Sequence, residues 1–201
     1  MANAITLFRI PVLVGAILLL YYGSTTARFV SVPLLAILIL MDTLDGIVAR
    51  RRRESSLLGS TLDIAVDRAV EIVLWISFAD LDLIPLAIPV IVVIRGALVD
   101  AFRNVGVQEG VKPFDTVKSW WARKLVASPA LRTPYGAVKG IAFSLLGLTL
   151  AMQSTPHTAA TRWLWILAQA ASWLAVAMCL ARGIPVLVDG WPMLRRPNRE
   201  R

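Results

Sequence analysis

A single cysteine and a single histidine in 201 residues remove several kinds of chemistry at the outset. Cys179 alone excludes an intramolecular disulfide and a cysteine metal cluster, so redox chemistry is not expected. His157 falls in a loop away from every carboxylate, which excludes a histidine base. Charge is scarce too, at 17% of residues, and acids are scarcer than bases: 13 Asp and Glu stand against 21 Lys and Arg, for a net +8. No polar stretch is longer than a loop, no internal repeat occurs, and no apolar run alternates with the period of two that a membrane barrel requires. No cleavable signal is expected, because Arg9 interrupts the first apolar run early and no small-residue cleavage site follows. These absences leave one domain, spanning residues 1–201, made of helices.

What is present is apolar. Hydrophobic residues make up 57% of the chain and the mean hydropathy is +0.69, against roughly 45–50% apolar content in soluble domains. A helix needs about 20 mostly apolar residues to cross the hydrocarbon core. Six stretches come near that: 5–22, 29–49, 58–79, 84–104, 134–152 and 162–188. The expected fold is therefore all-α, a polytopic membrane bundle of six transmembrane helices. Arg50 to Arg53, the basic residues between Lys112 and Arg132, and Arg195 to Arg201 alternate with connections almost free of Lys and Arg. Basic loops stay inside, so both termini are expected in the cytoplasm, with the protein in the cell (inner) membrane. The basic surplus points to anionic lipid headgroups, not nucleic acid. In the 105–133 connection, Phe114, Val117, Trp120, Trp121 and Leu125 are spaced for a short helix in the headgroup plane, and Trp163, Trp165 and Trp191 read as interfacial anchors.

Four acids stand out in this setting: Asp42 and Asp45 near the end of the second span, Asp63 and Asp67 at the start of the third. Spacings of three and four put each pair on one helix face, and a short basic loop joins the two helices. Burying four like charges costs several kcal/mol per ion unless cations neutralise them. Two divalent metals supply four positive charges, and hard oxygen ligands without His or Cys suit Mg²⁺ or Mn²⁺. Gly46 and Gly59 remove side chains where a ligand must come close, and Arg50 is one turn beyond Gly46, within reach of a phosphate. Alternatives are pairing of the acids with neighbouring arginines, or a cation transporter that uses the acids as a path.

Asp42, Asp45, Gly46, Ala49, Arg50, Gly59, Asp63 and Asp67 match the DxxDGxxAR(x8)GxxxDxxxD signature, and the chain on these residues resembles the CDP-alcohol phosphatidyltransferase family. The resemblance implies a six-helix, usually dimeric membrane enzyme of phospholipid biosynthesis. Such an enzyme transfers the phosphatidyl group of a CDP-linked alcohol, commonly CDP-diacylglycerol, to a second alcohol and releases CMP. It further implies that Asp42, Asp45, Asp63 and Asp67 ligate two divalent ions and that Asp67 also serves as base. Gly46, Arg50, Ser56 and Gly59 would contact the CDP-alcohol. Asn3 and Thr6, in ANAITLFRI, are similar to the family's PNxLTxxR segment that helps enclose the nucleotide, with Ala2 in place of its Pro.

The fourth span holds Arg95, Asp100 and Arg103, and the fifth begins YGAVKG with Lys139. An arginine in an apolar helix is costly and faces the bundle interior or a wet cavity, or pairs with a motif acid. Converging, Arg95, Arg103 and Lys139 form a pocket for a small, phosphorylated alcohol. This region resembles the phosphatidylglycerophosphate synthase branch, which implies glycerol 3-phosphate as acceptor; it differs in having Gly96 where that branch has an acid, and Gly136 and Lys139 where it has Gly-Lys-x-Lys. Inositol phosphate, inositol and phosphatidylglycerol are the competing acceptors.

Overall fold

A computed structural model describes residues 2–52, 57–108, 129–153 and 158–194. Among them are six helices: α1 (Ala2–Tyr22), α2 (Thr25–Arg52), α3 (Leu57–Asp80), α4 (Ala87–Gln108), α5 (Pro129–Met152) and α6 (Ala159–Leu194), with no strand among the described residues. The all-α expectation holds. The stretch carrying Phe114, Val117, Trp120, Trp121 and Leu125 lies outside the described residues, as do Ser56 and His157.

Hydropathy separates the helices. Pro134–Met152 and Ala159–Asp189 are long and apolar enough to cross a membrane, and Thr6–Tyr22 and Thr25–Met41 are apolar stretches within α1 and α2. The third and fourth helices are interrupted instead by charge, at Asp63, Asp67, Arg68 and Glu71 and at Arg95 and Asp100. Apolar content and helix length also part company at the ends. Helix α2 runs on through the acidic motif to Arg52, so Asp42 to Arg50 lie on its last turns. At 1.5 Å per residue the 36 residues of α6 run about 54 Å, well past a hydrocarbon core of about 30 Å.

Three short devices set the helix order. Gly23, between α1 and α2, has space for no Cβ, since one would meet the Leu19 carbonyl oxygen and, at 2.9 Å, the Ala27 Cβ. Ser24 then caps α2 by accepting from the Ala27 amide at 3.4 Å. Helix α3 ends in a paired 6→1 and 5→2 arrangement, Leu83 N to Phe78 O at 3.0 Å and Asp82 N to Ala79 O at 3.1 Å, with Asp82 in the left-handed region at φ 57°. Buried Leu83 and Phe78 complete that stop. Thr158 and Thr161 exchange amide-to-hydroxyl bonds across the start of α6.

The core lies where α2 and α3 meet α5. Trp75 and Phe78 of α3 pack on Phe143 of α5, with ring centroids 4.6 and 6.0 Å apart. Gly140 and Gly147 let α5 approach α2, since a Cβ at Gly147 would stand 2.8 Å from Leu35 Cδ1. Helix α1 packs on α2 and α3, while α4 lies between α3 and α6. Tyr21 donates to Asp80 at 2.7 Å, fastening α1 to α3 at the end remote from Asp63. Buried hydroxyls are satisfied within their own helices, Thr149 on Leu145 O at 2.7 Å and Ser172 on Ala168 O at 2.8 Å.

Candidate functional site

Helix α3 carries three acids in register. Asp63, Asp67 and Glu71 are four residues apart, so they climb one face by about 6 Å per step. The first two meet Arg9 of α1, whose Nη1 is 3.9 Å from Asp63 Oδ1 and whose Nη2 donates to Asp67 Oδ1 at 3.4 Å. The guanidinium is almost wholly enclosed, with 1% of its side chain exposed, whereas each aspartate exposes 43%. Buried Arg9 thus draws two carboxylates together from behind while their outer sides stay open. Packing of α1 on α3 places it there.

One turn deeper the chemistry changes. Glu71, 4% exposed, accepts from Tyr135 Oη at 2.6 Å and pairs with Lys139 Nζ at 3.1 Å, both from α5. Arg68 stands 4.0 Å from Glu71 and donates to Asp100 of α4 at 3.3 Å. The Tyr135 ring carries Lys139 Nζ 4.8 Å and Arg182 Cζ 5.4 Å from its centroid. Arg182 precedes Gly183, and a Cβ on Gly183 would lie 2.5 Å from Arg95 Nε and 2.8 Å from its Cγ. Gly96 plays a milder version of this part beneath Arg68, with Nη1 3.3 Å from where its Cβ would stand. Among the described residues, four helices therefore contribute to one polar cluster that includes Arg68, Arg95, Lys139 and Arg182 with Glu71 and Asp100.

The expected site residues fall as follows. Asp63 and Asp67 are brought together, Gly59 sits half-buried one turn before them, and Thr6 is buried on α1 one turn before Arg9. Asp42, Asp45, Gly46 and Arg50 lie on the last turns of α2, Asn3 on α1 and Arg103 on α4, with side chains outside the described residues; Ser56 is outside altogether. Arg95 and Lys139 both belong to the deeper cluster, Lys139 against Glu71 and Arg95 against Gly183.

Arg9, Arg68, Glu71, Tyr135 and Arg182 were not among the expected site residues. Glu71 had a signal, since it extends the four-residue spacing of Asp63 and Asp67. Arg9 had one too, as the arginine that closes the segment from Asn3 to Arg9. Tyr135 and Arg182 had none, because their partners are distant in sequence.

A cavity of about 990 Å³ opens at the other ends of α5 and α6, lined by Thr149, Gln153, Thr158, Arg162, Trp163 and Trp165 among others. Thr149 is about 15 Å along α5 from Lys139, so this cavity is separate from the acidic face.

An apolar helical bundle with an open pair of carboxylates at one end and a half-buried cationic cluster behind them defines an enzyme-like site on a membrane scaffold. Residues 1–181 match the CDP-alcohol phosphatidyltransferase family. The chain belongs to that family, whose members are integral membrane proteins that transfer phospholipid head groups from CDP-alcohols and generally depend on divalent metal. No individual curated protein matches the chain. Asp63 and Asp67 fit such an ion on donor chemistry: two hard carboxylates, adjacent on one face, with open outer sides.

Proposed function

We propose that this protein transfers the phosphatidyl group of CDP-diacylglycerol to a phosphorylated alcohol and releases CMP, with glycerol 3-phosphate the leading acceptor. The observation that carries the acceptor reading is the cluster behind Asp67, in which Arg68, Arg95, Lys139 and Arg182 face Glu71 and Asp100. Among the described residues the cations of this cluster outnumber its carboxylates, which suits an anionic partner and disfavours choline or ethanolamine.

Asp42, Asp45, Asp63 and Asp67 would hold two divalent ions, Mg²⁺ or Mn²⁺. Bound there, the ions would clamp the pyrophosphate and offset charge on the leaving CMP. The rest falls to the chain's own groups. Asp67 takes the proton from the acceptor hydroxyl as its oxygen bonds to the phosphatidyl phosphorus and the bond to CMP breaks. Gly46, Gly59, Arg50 and Ser56, with Asn3 and Thr6 of the first helix, enclose the CDP moiety. Arg95, Arg103 and Lys139, joined by Arg182, orient the acceptor's phosphate. In this reading all six helices span the membrane, both termini and the acidic face are cytoplasmic, and the protein is a homodimer of the inner membrane.

The test is CMP release from CDP-diacylglycerol with Mn²⁺ against glycerol 3-phosphate, inositol phosphate, inositol, serine and phosphatidylglycerol. Turnover is expected with glycerol 3-phosphate, and its absence there would overturn that acceptor. CDP-diacylglycerol should raise the melting temperature only when Mn²⁺ is present, because ligands that bind the native state alone stabilise it.

Gly183 supplies an independent check on Arg95. A methyl group at Gly183 must push the Arg95 side chain aside, so Gly183→Ala should raise the KM for a phosphorylated acceptor by about tenfold or more. The KM for CDP-diacylglycerol should not follow. An unchanged acceptor KM would remove Arg95 from the acceptor site.

A further inference from the structure

The cationic cluster contains its own anion. Glu71 is buried to 4% exposure among Lys139, Arg68 and Tyr135, and its Oε2 pairs with Lys139 Nζ at 3.1 Å. A carboxylate in that position does to Lys139 what the phosphate of an acceptor would do. It satisfies the ammonium, and it opposes any second anion that approaches. Its charge is in turn drawn down on the other oxygen by Tyr135, which donates to Oε1 at 2.6 Å.

We infer that Glu71 is a specificity-determining residue of the acceptor site, an internal competitor for Lys139 that sets how strongly the site favours a phosphorylated over an unphosphorylated alcohol. The inference rests on the reaction proposed above. Arg95 has no part in this competition, since it packs on Gly183 across the cluster. The acceptor's phosphate therefore gains Lys139 only at the expense of the bond to Glu71. The same bond reforms when the product lipid leaves, which keeps the site from retaining anions.

Two substitutions should move the acceptor KM in opposite directions. Glu71→Gln keeps an acceptor for Tyr135 and removes the charge, so Lys139 is released; the KM for glycerol 3-phosphate should fall by about tenfold, while those for glycerol and for CDP-diacylglycerol stay as they were. Tyr135→Phe leaves Glu71 with its full charge turned on Lys139, and the KM for glycerol 3-phosphate should rise about threefold. A gain in affinity is not what loss of a merely structural contact produces. If Glu71→Gln fails to fold, Tyr135→Phe decides by itself: an acceptor KM that is unchanged or lower overturns the inference. So does a Glu71→Gln enzyme whose preference for glycerol 3-phosphate over glycerol is unaltered, or a wild-type enzyme that turns over only unphosphorylated alcohols. Failure of the wild-type protein to release CMP with any acceptor would instead overturn the reaction itself.

Discussion

Asp67→Asn should lower CMP release by about a thousandfold or more, in the upper part of the range for losing a general base, while the protein stays folded. Asn has the same shape, and its carbonyl oxygen can still accept from Arg9, which now reaches Asp67 at 3.4 Å. What it lacks is the charge to hold a divalent ion and the lone-pair basicity to take a hydroxyl proton. Helical circular dichroism and elution in detergent should match the wild type. Turnover close to normal in that variant would end the assignment of Asp67 as base. Asp63→Asn serves as comparison, since it removes a charge from the same face without touching the proposed base.

Arg9→Gln has the second large effect, and a distinctive one. Arg9 is a buried cation facing two carboxylates, so its removal makes the acidic face more negative and should tighten Mn²⁺ binding, read as a larger thermal shift with the metal alone. Turnover should nevertheless drop about a hundredfold, because the guanidinium that holds Asp63 and Asp67 in register is gone and misplacement of catalytic groups by about 1 Å is costly. Tighter metal binding with slower chemistry separates a positioning role from simple loss of fold. Weaker Mn²⁺ binding together with undiminished CMP release would refute it.

Much of the architecture was legible because burial in lipid demands continuous apolar runs. All six helices begin within five residues of the expected span, and none of the six merged or was lost. The ends were less legible. The expected second span closed at residue 49, but helical hydrogen bonding carries α2 on to Arg52. Likewise α6 passes Asp189 and reaches Leu194. Of the acidic site, Asp63 and Asp67 were readable from spacing because an i, i+4 pair on a helix has only one relative placement. Glu71 continues that spacing, but its meaning depends on Tyr135 and Lys139, 64 and 68 residues later, and no local pattern encodes such a pairing. Gly183 shows the same limit, for its function is to leave room for a side chain of α4.

The pairing of Glu71 with α5 also bears on how the chain is made. Helix α3 leaves the ribosome bearing Asp63, Asp67, Arg68 and Glu71, and by then Arg9, which pairs with the first two, has already been synthesised. Asp100 arrives with α4, but Lys139 and Tyr135 are not translated until α5. A helix with that many ionised groups inserts poorly on its own. If the third helix spans the membrane as proposed, it lingers at the translocon or in the headgroup layer until the fifth emerges, and nascent chains halted before residue 135 should leave it accessible to water-soluble thiol labels placed along its length. On that proposal, assembly of the candidate site and completion of membrane insertion are one event, timed by the synthesis of α5.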